Sequence, residues 1–253
     1  MPRLVTIEEM QKALHETNKL SDAAILLGLE TFELHYLWNF YHTDTETIDK
    51  MKQRTLFDEP KYALVLNGPP GIGKDTLTDL FIKRNTYWNK ETFKEVLYFM
   101  TADAIKEDRE VFKRRATDRE QKDLLYPGRH FTPREAMIEV AELVVKPKYG
   151  DDFFGRMAGQ IAASRGNYAI FEGAGFPEEV SALLDYFTEV LVVRLHRPGF
   201  NFDHDSRQYL YSAYHPSGRI YFDDINLFDN DPLSAVLALE ELADNLVHGD
   251  YYE

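Results

Sequence analysis

Residues 62–76 read Tyr62-Ala63-Leu64-Val65-Leu66-Asn67-Gly68-Pro69-Pro70-Gly71-Ile72-Gly73-Lys74-Asp75-Thr76, an apolar run that breaks into glycines and prolines and then meets a lysine. The run predicts a buried strand. Leu77, Leu80 and Phe81 recur at helical spacing beyond the loop, so the segment reads as strand, loop and helix start. The spacing from Gly68 through four residues to Gly73-Lys74 is that of a phosphate-cradling P-loop: small residues let backbone N–H groups wrap the phosphate oxygens, and the lysine reaches the terminal ones. The following helix turns the positive end of its dipole toward the same anion. A turn that merely joined a strand to a helix would need neither the spaced glycines nor the lysine. Gly68, Gly71, Ile72, Gly73, Lys74, Asp75 and Thr76 are therefore the candidate nucleotide-binding residues. Position 75, where Ser or Thr usually offers a hydroxyl to Mg²⁺, is Asp75, and the hydroxyl follows at Thr76. Both are candidate metal contacts, and Asp75 reads equally as a favourable negative charge at a helix start.

The chain has 253 residues, 44% hydrophobic and 28% charged, which suits one α/β core with an appendage rather than a disordered chain. No cysteine is present, so thiol catalysis and thiolate metal sites are excluded. No apolar run long enough for export or membrane insertion is seen, and a cytoplasmic location is expected. A net charge of −14 disfavours a dedicated nucleic-acid surface, whereas a small nucleotide responds only to the lining of its own cleft.

Residues 1–45 read as helices with a helix-turn-helix-like Ala23-Ala24-Ile25-Leu26-Leu27-Gly28-Leu29. The expected reader helix, residues 30–41, carries no Arg or Lys, which favours packing over DNA contact. Residues 46–60 form a linker. From 61 to 253 the order is that of a βα repeat. Strands are expected at Tyr62 to Asn67, Val96 to Thr101, Tyr168 to Phe171 and Val190 to Leu195, with a weaker fifth at Ile225 to Phe228. Near-continuous apolar strands separated by helices imply a doubly wound parallel sheet, whose ligands bind beyond the carboxyl ends of its strands.

Glu172 ends the strand before Gly173-Ala174-Gly175, and its carboxylate either holds Mg²⁺ through water or orients the acceptor, or else caps nearby N–H groups. The two glycines permit close ligand approach or a tight turn. Thr132-Pro133-Arg134-Glu135 is a capping box with Met137, Val140, Ala141 and Val144 as its buried stripe. Arg134 in the first turn opposes the helix dipole, which a bound phosphate would reconcile, or else it is a solvated arginine paired with a neighbouring acid. The arginine-rich stretch from Lys106 to Arg129 reads as a lid or as a solvated face. Asp203-His204-Asp205-Ser206 reads as a polar loop.

In order along the chain, Gly73-Lys74-Asp75-Thr76, Ala102-Asp103-Ala104-Ile105-Lys106, Thr132-Pro133-Arg134-Glu135-Ala136, Asp151-Asp152-Phe153-Phe154, Phe176-Pro177-Glu178-Glu179, Arg197-Pro198-Gly199 and His204-Asp205-Ser206 resemble the deoxynucleoside monophosphate kinases of tailed bacteriophages. The resemblance, carried by the order of these pieces, implies a P-loop kinase that uses ATP and Mg²⁺ to convert a deoxynucleoside monophosphate to its diphosphate, as a homodimer serving viral DNA synthesis. It implies that Lys74, Arg134 and Glu172 are catalytic, that Arg197 joins the P-loop in binding ATP, and that Lys106, Arg129, Arg134, Glu172 and Gly173 contact the acceptor. Two departures stand out. The family's Asp-x-Arg-Phe after strand three is here Glu172-Gly173-Ala174-Gly175-Phe176, which keeps an acid and loses the arginine. Its His-x-Ser-Glu is here His204-Asp205-Ser206-Arg207, which reverses the final charge. A P-loop kinase acting on a hydroxymethylated base in DNA and a nucleotide-regulated DNA-binding protein are the alternatives.

Overall fold

The structure, a computed structural model, describes Lys12, Ala13, Glu16 and residues 59–249 other than 204, 206, 215–218, 229 and 230. The helix-turn-helix-like segment and the linker thus lie almost wholly outside the described residues.

The centre of the molecule is β1 (Tyr62–Asn67), every residue of which is buried. It lies in a five-stranded sheet of order β2-β3-β1-β4-β5, where β2 is Asn89–Glu91, β3 Tyr168–Phe171, β4 Glu189–His196 and β5 Ile220–Asn226, and every pairing is parallel. Alternate side chains of β1 go to opposite faces, as strand geometry requires. Leu64 and Leu66 join Phe81 of α1 (Lys74–Arg84) and Leu239 and Leu246 of the C-terminal helix, whereas Ala63 and Val65 join the opposite cluster with Ala158 and Ala162. Helices therefore cover both faces, and the expected doubly wound α/β sheet is the fold.

Between β2 and β3 the chain builds a helical outgrowth: α2 (Glu95–Ala104), α3 (Arg109–Thr117), α4 (Pro133–Glu139), a wide π turn (Val140–Val145), α5 (Lys146–Tyr149) and α6 (Phe153–Arg165). After β3 come α7 (Pro177–Ser181) and a 3₁₀ turn (Ala182–Asp185), and α8 (Pro232–His248) follows β5. The expected strand at Val96 to Thr101 is instead the body of α2. Its Val96 and Met100 face one apolar cluster and its Tyr98 and Ala102 another. A helix buried on two sides gives a continuous apolar run that periodicity cannot separate from a strand. Consequently Ala102 to Lys106 ends a helix rather than following a strand. The fifth strand begins earlier than expected, and β2, written Asn-Lys-Glu, was not expected at all because an edge strand of polar residues carries no apolar signal.

The capping box forms as expected, with the Thr132 hydroxyl accepting from the Glu135 N–H at 3.1 Å and the Glu135 carboxylate accepting from the Thr132 N–H at 2.8 Å. The buried stripe behind it is corrected by one residue. The π turn adds a residue to the helix circuit, so Val145 goes inside and Val144 is left exposed.

Candidate active site

The P-loop takes the shape its glycines allow. Gly71 and Gly73 have φ of +76° and +115°, conformations that an L side chain adopts only under strain, and Gly73 leads directly into α1. Ile72 is buried in the core, so its side chain anchors the loop and only its backbone is available to an anion. Lys74 folds back over the loop, donating to the carbonyls of Gly68 at 2.6 Å and Pro69 at 2.8 Å. Its ammonium is pushed down to about 8, first by desolvation and then by the positive charge of Arg207. Gly173 passes close by, and a Cβ there would lie 3.5 Å from Lys74 Cε.

On one side of this loop stand two carboxylates. Glu172 is ion-paired with Lys90 at 2.9 Å and hydrogen-bonded to Asp75; its pKa is raised, chiefly by burial, while Lys90 opposes the shift and Asp75 adds to it. Two adjacent acids, Glu172 partly buried and Asp75 exposed, are a suitable pair for a divalent cation that keeps most of its waters and takes other oxygens from phosphate, as Mg²⁺ does. Among the described residues no cluster of three or more His, Cys, Asp or Glu exists, so any such ion would depend on the nucleotide for part of its shell. Thr76 does not join Asp75 and Glu172. It lines a separate cavity of about 170 Å³ with Gly73, Leu77, Arg197, Leu227 and Phe228. In that cavity wall the Arg197 guanidinium lies over the Phe200 ring, 4.9 Å from its centre.

Near the carboxylates is a group of cations centred on Lys94, a residue that the sequence did not single out. Lys94, at the start of α2, uses its backbone N–H on the Thr92 hydroxyl at 3.3 Å, and its ammonium makes no hydrogen bond or ion pair among the described residues. Its pKa is lowered by desolvation first, then by Arg207, Lys122 and Arg134, with Glu172 opposing. In a chain of net charge −14, cations gathered within reach of one another point to an anion between them.

Arg134 belongs to this group, but not in the expected manner. Pro133 has no N–H, the Arg134 N–H donates to the Lys122 carbonyl, and the next two N–H groups are taken by Thr132. No free backbone donor is left at that helix start, so the anion-binding helix terminus expected there is not available. Only the guanidinium remains, and it is forked onto Asp123 at 2.5 and 3.4 Å. Lys106 and Arg129 lie elsewhere. Lys106 takes the left-handed position after α2 with φ +57°, and Arg129 donates to the Ile105 carbonyl at 3.1 Å. Both sit at the end of α2 opposite Lys94, about 15 Å away along a ten-residue helix. Of the arginines in that stretch, Arg119 reaches α1, 3.6 Å from Asp75.

Glu179, in the first turn of α7, was legible only as part of a motif. The fold buries it, and desolvation pushes its pKa up to about 7 against the N–H groups of Gly175 and Phe176 and the charges of Lys146 and Lys94. A folded-state pKa above the unfolded 4.5 means that the native protein holds this proton more tightly. The contribution of Glu179 to stability is then fully present below pH 4.5 and is lost as pH rises through 7, by about 3 kcal/mol. Glu179→Gln is expected to remove that slope in thermal melts taken between pH 4.5 and 7.5. A slope equal to that of the wild type would place the titration elsewhere.

No protein-family model matches the chain, and no curated protein matches it. Among solved structures it is similar to a shikimate kinase from Bacteroides thetaiotaomicron. The identity is 15%, over 72% of this chain and 98% of that one, with a TM-score of 0.33. No helix among the described residues is long and apolar enough to cross a membrane.

Proposed function

We propose that the chain is an ATP- and Mg²⁺-dependent kinase that transfers a phosphoryl group to a deoxynucleoside monophosphate. The observation that carries this reading is the pair of cationic features facing one space: Lys74 on the P-loop, and Lys94 with Arg134 across from it, with Arg207 acting on both lysines from between them. One is suited to the phosphate chain of a donor, the other to an anionic acceptor. A monophosphate oxygen is already a competent nucleophile near neutral pH, so positioning and charge neutralisation suffice and no strong base is needed. The deoxy preference rests on the resemblance.

In this reading the donor's base enters the cavity lined by Arg197, Leu77 and Phe228, with Thr76 beside its phosphates. Asp75 and Glu172 hold the metal, which supplies charge neutralisation on the donor phosphates. Lys74 exchanges its two loop carbonyls for phosphate oxygens. The bond between the terminal phosphorus and ADP breaks as one forms to the acceptor phosphate oxygen, while the cationic group keeps the two anions together.

The test is a panel of ribo- and deoxynucleoside monophosphates with Mg-ATP, read by product identity. Diphosphates from deoxy substrates, with ADP formed only when an acceptor is supplied, are expected. ADP formation indifferent to every monophosphate would overturn the acceptor assignment, and label entering polymeric modified DNA would move it there. In the same assay Arg134→Ala should raise the KM for the acceptor several-fold while leaving that for ATP nearly unchanged, because its guanidinium stands with Lys94 and not beside Arg197. The reverse pattern would put Arg134 on the donor side.

A further inference from the structure

The long connection from β4 to β5 delivers a side chain into the site by a route that the sequence hides. Asn67, at the end of β1 and fully buried, binds this connection from below: its amide donates to the Gln208 carbonyl at 3.2 Å and its oxygen accepts from the Leu210 N–H at 3.0 Å. The same amide donates to the Ala174 carbonyl at 3.3 Å, which ties the loop after β3 to the connection. From above, the Tyr209 hydroxyl donates to the Leu195 carbonyl at 2.8 Å. Residues 207–210 are thus fixed to the carboxyl edge of the sheet by both neighbouring strands.

Arg207 leaves this fixed segment and crosses Gly175 so closely that a Cβ there would lie 2.8 Å from its Cδ and 2.9 Å from its Cγ. A side chain at 175 would displace Arg207 from this path. Asp205 holds the Nε and Nη2 edge of the guanidinium at 2.8 and 2.7 Å, and Nη1 has no protein partner among the described residues. The groups acting on Arg207 and its neighbours are the ammoniums of Lys74 and Lys94 and the carboxylate of Glu179. Asp205 and Glu179 offset part of the positive charge that Arg207, Lys74 and Lys94 bring within reach of one another, and the Nη1 edge is left for a further anion such as a phosphate. The two departures from the kinase pattern meet at this point, since the loop after β3 lacks its arginine and position 207 carries one in place of an acid.

We infer that Arg207, threaded past Gly175, contacts the terminal phosphate of a nucleotide seated on the P-loop, with Asp205 and Asn67 as its positioning residues. The inference rests on the P-loop being a phosphate seat and not on the identity of the acceptor. Binding of Mg-tripolyphosphate, measured by calorimetry, reads it without an acceptor. Arg207→Ala should weaken that binding by about tenfold to a hundredfold, the range for losing a charge-assisted hydrogen bond. Since the alanine leaves Asp205 unpaired, the pair Asp205→Asn with Arg207→Gln serves as a second variant that removes both charges, and it should show the same loss. Gly175→Ala should weaken binding in the wild-type background and add nothing to Arg207→Ala. Unchanged tripolyphosphate affinity in both Arg207 variants, or additive losses with Gly175→Ala, would overturn the assignment. A wild type that binds tripolyphosphate through Arg207 yet phosphorylates no monophosphate would support the assignment and overturn the acceptor reading alone.

Discussion

Replacement of Lys74 by alanine should lower monophosphate-dependent ADP formation by at least about a hundredfold, the scale on which removal of a single transition-state charge contact acts. The geometry gives the reason. Lys74 is held over the loop by two short hydrogen bonds to the carbonyls of Gly68 and Pro69, so its ammonium already stands where the proposed reading seats a phosphate. Exchanging those two carbonyls for phosphate oxygens leaves the ammonium over the loop, and alanine cannot replace it. The surrounding charge adds a second expectation. Desolvation and Arg207 hold the free ammonium down to about 8, so kcat/KM for ATP should fall above pH 8 as the proton is lost. Bound phosphate restores the proton, and kcat at saturating ATP should therefore hold to higher pH than kcat/KM. Thermal melts of the variant separate lost chemistry from lost folding. Turnover in Lys74→Ala equal to that of the wild type would remove the P-loop from the reaction.

The parts of this molecule that local pattern governs were legible in the sequence. β1, the loop and α1 follow from one stretch because strand burial, glycine spacing and helix periodicity are all neighbour effects, and the capping box at Thr132 is equally local. What failed was any feature decided by a distant partner. The Val96 to Thr101 run looks like a strand until Val140 and Phe112 are known to cover opposite sides of it. The helix start at Arg134 looked free until the Lys122 carbonyl was found on its N–H. Lys94, Glu179 and Arg207 had no sequence neighbour to mark them, since they meet only where α2, α7 and the β4–β5 connection converge. One signal did exist. The reversed charge at Arg207 and the absent arginine after β3 were visible as separate departures, and only their packing across Gly175 relates them.

Gly155→Ala should be the most damaging single-atom addition in the outgrowth, against what helix propensity alone says. Inside α6 an alanine would ordinarily stabilise by up to about 1 kcal/mol. Here a Cβ would lie 2.3 Å from the Glu179 carbonyl oxygen, 2.6 Å from its Cα and 2.8 Å from its carbonyl carbon. All three are backbone atoms, so no rotamer change relieves the contact, and α6 and α7 must separate. Overpacking of that kind costs about 3 kcal/mol or more, which for a domain of this size lowers Tm by about 10 °C. Gly159→Ala is the control on the same helix. Its Cβ meets the Tyr186 ring at 2.7 Å, and a ring can swing aside, so a smaller loss is expected. The functional consequence runs through Glu179, whose carboxylate gathers the N–H groups of Gly175 and Phe176 beside Arg207. Moving its backbone shifts the floor across which Arg207 reaches the P-loop. Molecules of Gly155→Ala that remain folded should therefore lose kcat as well as stability, whereas Gly159→Ala should keep its kcat. A Gly155→Ala protein with wild-type Tm would show that α6 and α7 are not packed as closely as their backbones require.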